Sequence, residues 1–408
     1  PRVSTIYNQY PHQISGGQKQ RVMIAMAIAN NPKLLIADEP TTALDVTVQQ
    51  TIIELLKELQ AQNGMSILFI SHDLTLISEI AQRVLVMKNG EIVEQGTVAE
   101  VFKNPKHPYT QALINSKPKL NERLKILPTV QNFLQHDFVS EIVSDENRQK
   151  KHQQLYAQTA LLSIKNVKKY FTIDKGWFQK AALVKAVDSV SLDIYEGETV
   201  GLVGESGCGK TTLGRTILNL EPPTAGEIFY KGIDITQLKP KDWIILRKEI
   251  QMIFQDPFAS LNPRITVGDA ILEPMKVHQI LTSNKERKVA VIELLKKVGL
   301  DKTHYHRYPH EFSGGQRQRI GIARAIALHP KLIICDESVS ALDVSVQAQV
   351  LNLLNQLKEE FKFTYLFISH DLAVVKYMAD QMVVMHQGKI EQLAVPKELY
   401  DKMNTPKN

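Results

Sequence analysis

At 408 residues, 43% of them apolar, the chain is long enough for two ordinary domains, and 49 basic against 43 acidic residues exclude wholesale disorder. The net charge of +6 lacks a dominant block, so a slightly basic solvated surface is expected and no nucleic-acid partner. Two cysteines exclude a disulfide framework and fit a reducing cytoplasm, and apolar runs such as 34–37 and 67–70 fall far short of the roughly 20 residues that cross a bilayer.

In chain order, Ser15-Gly16-Gly17-Gln18 opens a run of helical composition to residue 30, with Ser15 suited to cap it. Residues 33–37 read as a buried strand closed by Asp38-Glu39, residues 48–60 as a helix, and residues 65–70 as a strand followed by Ser71-His72-Asp73. This alternation predicts an α/β fold with a largely parallel sheet and ligands at the carboxyl ends of its strands. From 116 to 160 the pattern weakens among scattered glutamines, which predicts an extension running into a linker. A second domain is expected from Leu161, with residues 162–164 and 187–194 as edge strands. Residues 200–203 then lead into Gly204-Glu205-Ser206-Gly207-Cys208-Gly209-Lys210-Thr211, and a helix opens at Lys210. Further strands are expected at 251–254, before Gln255-Asp256-Pro257, at 332–335, before Asp336-Glu337, and at 365–368, before Ser369-His370-Asp371.

The chain repeats itself. Ser15 and Ser313, Asp38 and Asp336, and His72 and His370 are all separated by 298 residues, and 34 of the 63 positions from Tyr10 to His72 are identical in the second copy. One constant offset at that density marks a tandem domain repeat. The glycine-rich loop occurs once, and its first copy is expected about 88 residues before Pro1, so the chain is expected to begin inside a domain.

The glycine-rich loop sits between strand and helix, where glycines let backbone amides wrap an anion and the helix N-terminus adds unpaired N–H groups. Lys210 is expected to reach the β and γ phosphates of a nucleotide, Thr211 to bind magnesium, and Thr212 to lie in the same cradle. Asp336 closes its strand where a magnesium-bound nucleotide would sit, as Asp38 does in the first copy. Glu337 is placed to polarise the attacking water as general base, and His370 to contact the γ-phosphate and hold that water. Gln255 occupies a turn from which it can sense the magnesium site or swing away. Ser15 to Gln18 and Ser313 to Gln316 each present a second anion-seeking helix end.

With these residues the chain resembles a tandem nucleotide-binding subunit of an ATP-binding cassette (ABC) transporter, a P-loop NTPase of the ABC type with the first of two domains incomplete. The family's Walker A loop matches Gly204 to Thr211, its Q-loop Gln255, its signature Ser15 to Gln18 and Ser313 to Gln316, and its Walker B pair Asp38-Glu39 and Asp336-Glu337. Its D-loop matches Ala43-Leu44-Asp45 and Ala341-Leu342-Asp343, and its switch histidine His72 and His370. The resemblance implies ATP and Mg2+ as ligands, with metal contacts from Thr211, Gln255 and Asp336. It places Phe171 where an aromatic ring stacks on adenine, with Tyr170 as the competing choice. Residues 254–264 and 343–347, and the tail at 104–113, are similar to importer ATPases for oligopeptides and dipeptides, and the fusion of two domains is similar to microcin C and glutathione importer ATPases. Permease subunits, an indirect solute-binding protein and a peripheral place on the cytoplasmic side of the inner membrane are what this implies. A soluble tandem-cassette ATPase acting on ribosomes or nucleic acid is the alternative. The expected division is 1–115 for the later part of a first nucleotide-binding domain, 116–160 for extension and linker, and 161–408 for a second, nearly complete domain. Ser338-Val339-Ser340 departs from Pro40-Thr41-Thr42 at the matching place, and the two scattered cysteines exclude the cysteine cluster that some members carry.

Overall fold

The computed structural model describes residues 6–41, 44, 46–119, 123–134, 140–173, 182–340 and 342–394. Of the expected D-loop residues, Ala43, Asp45 and Ala341 lie outside the described residues. The chain divides into one compact unit of Pro1–Lys117, Pro128–Phe138 and Asp343–Ser345, and another of Pro118–Leu127, Val139–Leu342 and Val346–Asn408.

The first unit runs through helix α1 (Gly16–Ile28), strand β1 (Leu34–Asp38), α2 (Val46–Asn63), β2 (Ser66–Ile70), α3 (Leu74–Ile80), the hairpin β3 (Arg83–Lys88) and β4 (Glu91–Thr97), α4 (Val98–Lys103), α5 (Pro108–Asn115) and α6 (Val130–Leu134). β1 and β2 pair in parallel, Asp38 opposite Ile70. Successive strand residues point to opposite faces, and here one face is covered: Leu35 packs with Ile24, Ile52, Ile53 and Leu56. Leu34, Ile36, Leu68 and Ile70, on the other face, are exposed.

The second unit continues with α7 (Asp145–Tyr156), β5 (Leu162–Ile173), β6 (Ala182–Ile194), β7 (Thr199–Val203), α8 (Lys210–Ile217), β8 (Ala225–Tyr230), β9 (Ile233–Asp234), α9 (Pro240–Glu249), β10 (Ile250–Ile253), α10 (Val267–Val277) and α11 (Asn284–Lys297). It closes with α12 (Gly314–Ile326), β11 (Leu332–Asp336), α13 (Val344–Phe361), β12 (Thr364–Ile368), α14 (Leu372–Met378), β13 (Gln381–His386) and β14 (Lys389–Ala394). A six-stranded sheet has the order β10-β11-β12-β7-β13-β14, parallel except for the β13–β14 hairpin. Both faces are covered, as an apolar parallel sheet requires. Ile333, Cys335, Tyr365 and Phe367 enter a core with α10 to α13. Leu332, Ile334, Leu366 and Ile368 enter another with α8 and the strands β5, β6 and β8.

One expectation is corrected. Residues 187–194 belong to the edge strand β6, as expected, but residues 162–164 belong to β5, which is internal, in a separate antiparallel sheet ordered β6-β5-β8-β9. Lys165, Lys168, Lys169 and Lys185 break the apolar pattern of these strands, whereas backbone pairing with β8 and β6 decides their length.

Part of the stretch read as extension and linker packs tightly within this second unit. Arg123 donates from its two terminal nitrogens to the carbonyls of Ala379 (2.9 Å) and Met378 (3.2 Å). Asn352 exchanges two hydrogen bonds with the backbone of Leu127. Lys151 of α7 and Lys358 of α13 both pair with Asp380, at 2.9 and 3.0 Å, and the Thr199 amide donates to the same carboxylate. Burial alone would raise the Asp380 carboxyl, but Lys358, Lys151 and Arg123 hold it well below the usual carboxylate range. Burial also brings the Lys358 ammonium down to about 8.

Beside this cluster Glu198 is fully buried, accepting from Tyr156 Oη (2.9 Å) and the Tyr195 amide (2.9 Å), and burial pushes its carboxyl up to about 7. Between pH 4.5 and about 7 the folded state therefore keeps a proton that the unfolded chain has released, so this group's contribution to stability falls as pH rises through that window. Glu198→Gln keeps a side-chain oxygen for the Tyr195 amide and removes the titration. At pH 8 it should raise stability by on the order of 2–3 kcal/mol and flatten the loss between pH 5 and 8. Urea unfolding of both proteins across that range checks this, and parallel curves would refute it.

Candidate functional site

β7 is fully buried and delivers Gly204 to the carboxyl edge of the parallel sheet, with β12 on one side and β13 on the other. The loop then turns through Gly207 (φ +79°) and Gly209 (φ +107°), left-handed conformations that side chains resist. Their reasons differ. A Cβ on Gly209 would lie 1.9 Å from the carbonyl oxygen of Ala186 in β6, so the loop is pressed onto the neighbouring sheet. A Cβ on Gly207 would meet nothing within 4 Å, which leaves that glycine facing open space. The backbone contacts from Ala186, and from Met385 against Gly204, were not visible in the sequence, because they come from strands distant along the chain and involve no side-chain chemistry.

Lys210 opens α8 and is 4% exposed. Its ammonium donates to the carbonyls of Gly204 (2.6 Å) and Glu205 (2.8 Å) and lies 3.8 Å from Cys208 Sγ. No carboxylate pairs with it among the described residues. A buried cation held by carbonyls, at the start of a helix and under a glycine turn that leaves room, is a fit for a phosphate chain. Glu205 and Ser206 are exposed on the loop, Cys208 is buried beneath it, and Thr211 and Thr212 follow Lys210 at the start of α8.

Thr211 Oγ1 donates to Asp336 Oδ1 at 2.9 Å, so β11 brings its terminal carboxylate against the loop. Burial raises the Asp336 carboxyl, with the Thr211 hydrogen bond opposing. Hydroxyl, carboxylate and a nearby amide are hard oxygen donors that suit Mg2+, which completes its shell with phosphate and water. No group of three or more His, Cys, Asp or Glu side chains that could hold a metal occurs among the described residues.

Glu337 leaves β11 with φ +45°, an unusual conformation for a non-glycine residue. Its amide donates to the Ile368 carbonyl (3.0 Å), which ties it to the end of β12. Gln255 Nε2 donates to Glu337 Oε2 at 2.8 Å, and His370 Nδ1 lies 3.6 Å from Oε1. Burial would raise the Glu337 carboxyl, yet His370 and the charge of Lys210 together hold the group below its ordinary value. The same contact raises the His370 imidazole above its ordinary value against the effect of burial. Gln255 and His370, 115 positions apart in sequence, thus meet at one carboxylate at the strand ends.

In the first unit, Glu39 also has φ +45°, its amide donates to the Ile70 carbonyl (2.9 Å), and His72 Nδ1 contacts its Oε1 at 3.0 Å. Ser15 and Ser313 cap α1 and α12, and Gln18 and Gln316 return their side-chain oxygens to the serine amides. Gln18 is therefore engaged by its own cap. The paired glycines again divide the work: a Cβ on Gly17 would lie 2.6 Å from Val48 and one on Gly315 2.3 Å from Val346, so the second glycine serves helix packing. Gly314 faces open space and Gly16 nearly does, with Leu44 at 3.4 Å.

Phe171 and Tyr170 are also distinguished. Tyr170 Oη is tied to Asp188 Oδ1 at 2.5 Å, whereas the Phe171 ring is 37% exposed, with Lys169 Nζ 5.0 Å from its centre. Phe171 pairs with Val184 on β6, two residues before the Ala186 carbonyl that supports Gly209.

The sequence profile described as ABC transporter matches residues 2–42 and 187–340, and that described as oligopeptide/dipeptide transporter, C-terminal region, matches residues 93–136. The glutathione import ATP-binding protein GsiA of Escherichia coli O157:H7 is 47% identical over 412 aligned residues, covering 100% of this chain and 65% of that protein. GsiA of Pectobacterium atrosepticum is 46% identical with the same coverage. The chain thus spans 65% of the length of these curated relatives, slightly under two thirds. Among solved structures, the dimeric post-hydrolysis state of the ATP-binding cassette MJ0796 bound to ADP and Pi matches with a TM-score of 0.52 and 30% identity, covering 58% of this chain and 98% of that one. CbiO1 from Clostridium perfringens, at 24% identity and a TM-score of 0.52, shares the fold.

Proposed function

We infer, for a chain that belongs to the ATP-binding cassette ATPases of the ABC transporter family, that it binds and hydrolyses ATP to energise an importer of peptides or peptide-like solutes. The observation that carries this is the convergence of the Lys210 loop, Asp336, Glu337, Gln255 and His370 at one edge of the parallel sheet. Its importer class is supported by the oligopeptide/dipeptide profile and by the printed function of the relatives, glutathione import. The proposed partners are integral permease subunits and, through them, a solute-binding protein, with peripheral attachment at the cytoplasmic side of the inner membrane. Among the described residues no helix is long and apolar enough to cross a membrane.

In this reading the loop from Gly204 to Thr212 holds the phosphate chain, and Lys210 exchanges its carbonyl partners for phosphate oxygens. Phe171, rather than the pinned Tyr170, offers a partly exposed ring to adenine. Thr211, Asp336 and the side-chain oxygen of Gln255 would hold magnesium, which when bound neutralises phosphate charge. Gln255 can do so while its Nε2 donates to Glu337. Glu337, kept ionised, accepts a hydrogen bond from the attacking water, and His370 fixes the carboxylate and faces the γ-phosphate. Ser15 to Gln18 and Ser313 to Gln316 are each proposed to close over a nucleotide held by another phosphate loop, through the open first glycine and the helix end.

We also read residues 1–115 as part of a first nucleotide-binding domain, 116–160 as extension and linker, and 161–408 as a second domain. Backbone conformation supports the repeat: left-handed residues recur at the same offset of 298 at Asn31 and His329, Glu39 and Glu337, Gly64 and Lys362, Asn89 and Gln387, and Gly90 and Gly388.

The chain and its Lys210→Ala variant, each co-expressed with a peptide-type permease and isolated through it, test the reading. Both should co-purify, and the variant should bind a fluorescent ATP analogue about 10- to 100-fold more weakly, the loss expected for charge-assisted bonds. Absence from the permease would remove the importer reading, and unchanged affinity would remove the site.

A further inference from the structure

The turn that follows β11 departs from its repeat, Ser338-Val339-Ser340 in place of Pro40-Thr41-Thr42, and the departure follows directly on Glu337. Ser340 Oγ donates to the Glu337 carbonyl at 2.9 Å, a shorter contact than the one its own amide makes to the same oxygen, 3.2 Å. The Glu337 peptide is thereby gripped from both sides, at its amide by Ile368 and at its carbonyl by Ser340. That grip matters because Glu337 has φ +45°, and such a backbone persists only where its surroundings over-determine it.

The neighbouring residues divide between packing and holding. Val339 is 1% exposed and enters the core with Leu342 and Ala348, which anchors the turn from below. Ser338 is 2% exposed, and its hydroxyl has no hydrogen-bond partner among the described residues beyond the weak Cys335 thiol. Neither side chain touches the Glu337 carbonyl in the described hydrogen bonds. The repeat keeps a hydroxyl at the Ser340 position, Thr42, although that residue lies outside the described residues.

We propose that Ser340 is a positioning residue for hydrolysis, its hydroxyl fixing the Glu337 peptide and, through it, the carboxylate between Gln255 and His370. The proposal rests on the ATP-hydrolysis reading and adds a residue that touches neither nucleotide nor water. Removing the hydroxyl leaves the longer amide contact in place, so the turn survives while the carboxylate gains freedom. Displacement of a reacting group by a fraction of an ångström slows chemistry without loosening substrate.

Ser340→Ala should lower kcat about tenfold with KM within about twofold, and Ser340→Thr should restore kcat to within about twofold, because threonine keeps the hydroxyl. Crystal structures of the two variants give a readout independent of turnover. The contact between Gln255 Nε2 and Glu337 Oε2, 2.8 Å in the parent chain, should lengthen in Ser340→Ala and be kept in Ser340→Thr. An unchanged contact in Ser340→Ala, or equal kcat in all three proteins, overturns the proposal. A parent chain without turnover overturns the hydrolysis reading instead, and the crystallographic contact still decides whether Ser340 positions Glu337.

Discussion

Glu337→Gln should reduce ATP turnover by at least about 100-fold while nucleotide affinity stays within about twofold of the parent chain. Glutamine matches the shape of the side chain, and its oxygen can still accept from Gln255 Nε2, so the turn and the neighbouring loop are undisturbed. What it lacks is the negative charge that, in the proposed reading, orders the attacking water. Asp336, Thr211 and Lys210, which hold the nucleotide in the proposed reading, are unchanged, so binding and hydrolysis separate. The substitution also removes the partner that raises the His370 imidazole, and the imidazole should return toward its ordinary value. Stability that the His370 proton contributes in the parent is present at low pH and lost as pH rises through the raised value; in the variant that contribution disappears. Phosphate release under single-turnover conditions measures the first effect. Turnover equal to the parent would instead favour a nucleotide-binding switch that does not hydrolyse.

Asp380→Asn should destabilise the second unit by about 3–5 kcal/mol, on the order of 10 °C in melting temperature, the cost of leaving a buried cation without its counter-charge. Lys358 and Asp380 are both almost fully withdrawn from water, Lys151 and the Thr199 amide bond the same carboxylate, and the charge of Arg123 adds to theirs. An asparagine there keeps at best one acceptor for these donors. If the charge deficit is the cause, Asp380→Asn combined with Lys358→Met should recover much of the loss, because a packed apolar pair costs less than one uncompensated charge. Thermal unfolding of the single and double variants tests this; a double variant less stable than Asp380→Asn would show that geometry, and not charge balance, is what Asp380 supplies.

Much of the site was legible because its residues lie at strand ends inside short local patterns. Leu332 to Asp336 reads as an apolar run closed by a carboxylate, and the structure makes that run a strand with the carboxylate against Thr211. Gln255 and His370 were found by the same logic, each as the polar residue just beyond an apolar strand. The fixed offset separated chance from recurrence for His72 and His370, which alone would be ordinary histidines after strands. Less legible were contacts through backbone or across long loops. The grip of Ala186 on Gly209, the Tyr170 bond to Asp188 and the Lys151 and Lys358 pairs with Asp380 leave no periodic trace, since each joins residues from separate elements.

By itself the sequence determined the class of chemistry, the α/β alternation and which residue types stand at the ends of which strands, because these depend on local spacing and on hydrophobic period. The tertiary structure alone decided how the work is shared among them: which glycines face open space and which face a neighbouring backbone, that β5 and β6 belong to a second sheet, and that Glu337 is held at its amide, its carbonyl and both carboxylate oxygens. Those are matters of distance between segments far apart in the chain, fixed by strand register and side-chain packing rather than by any single run of residues.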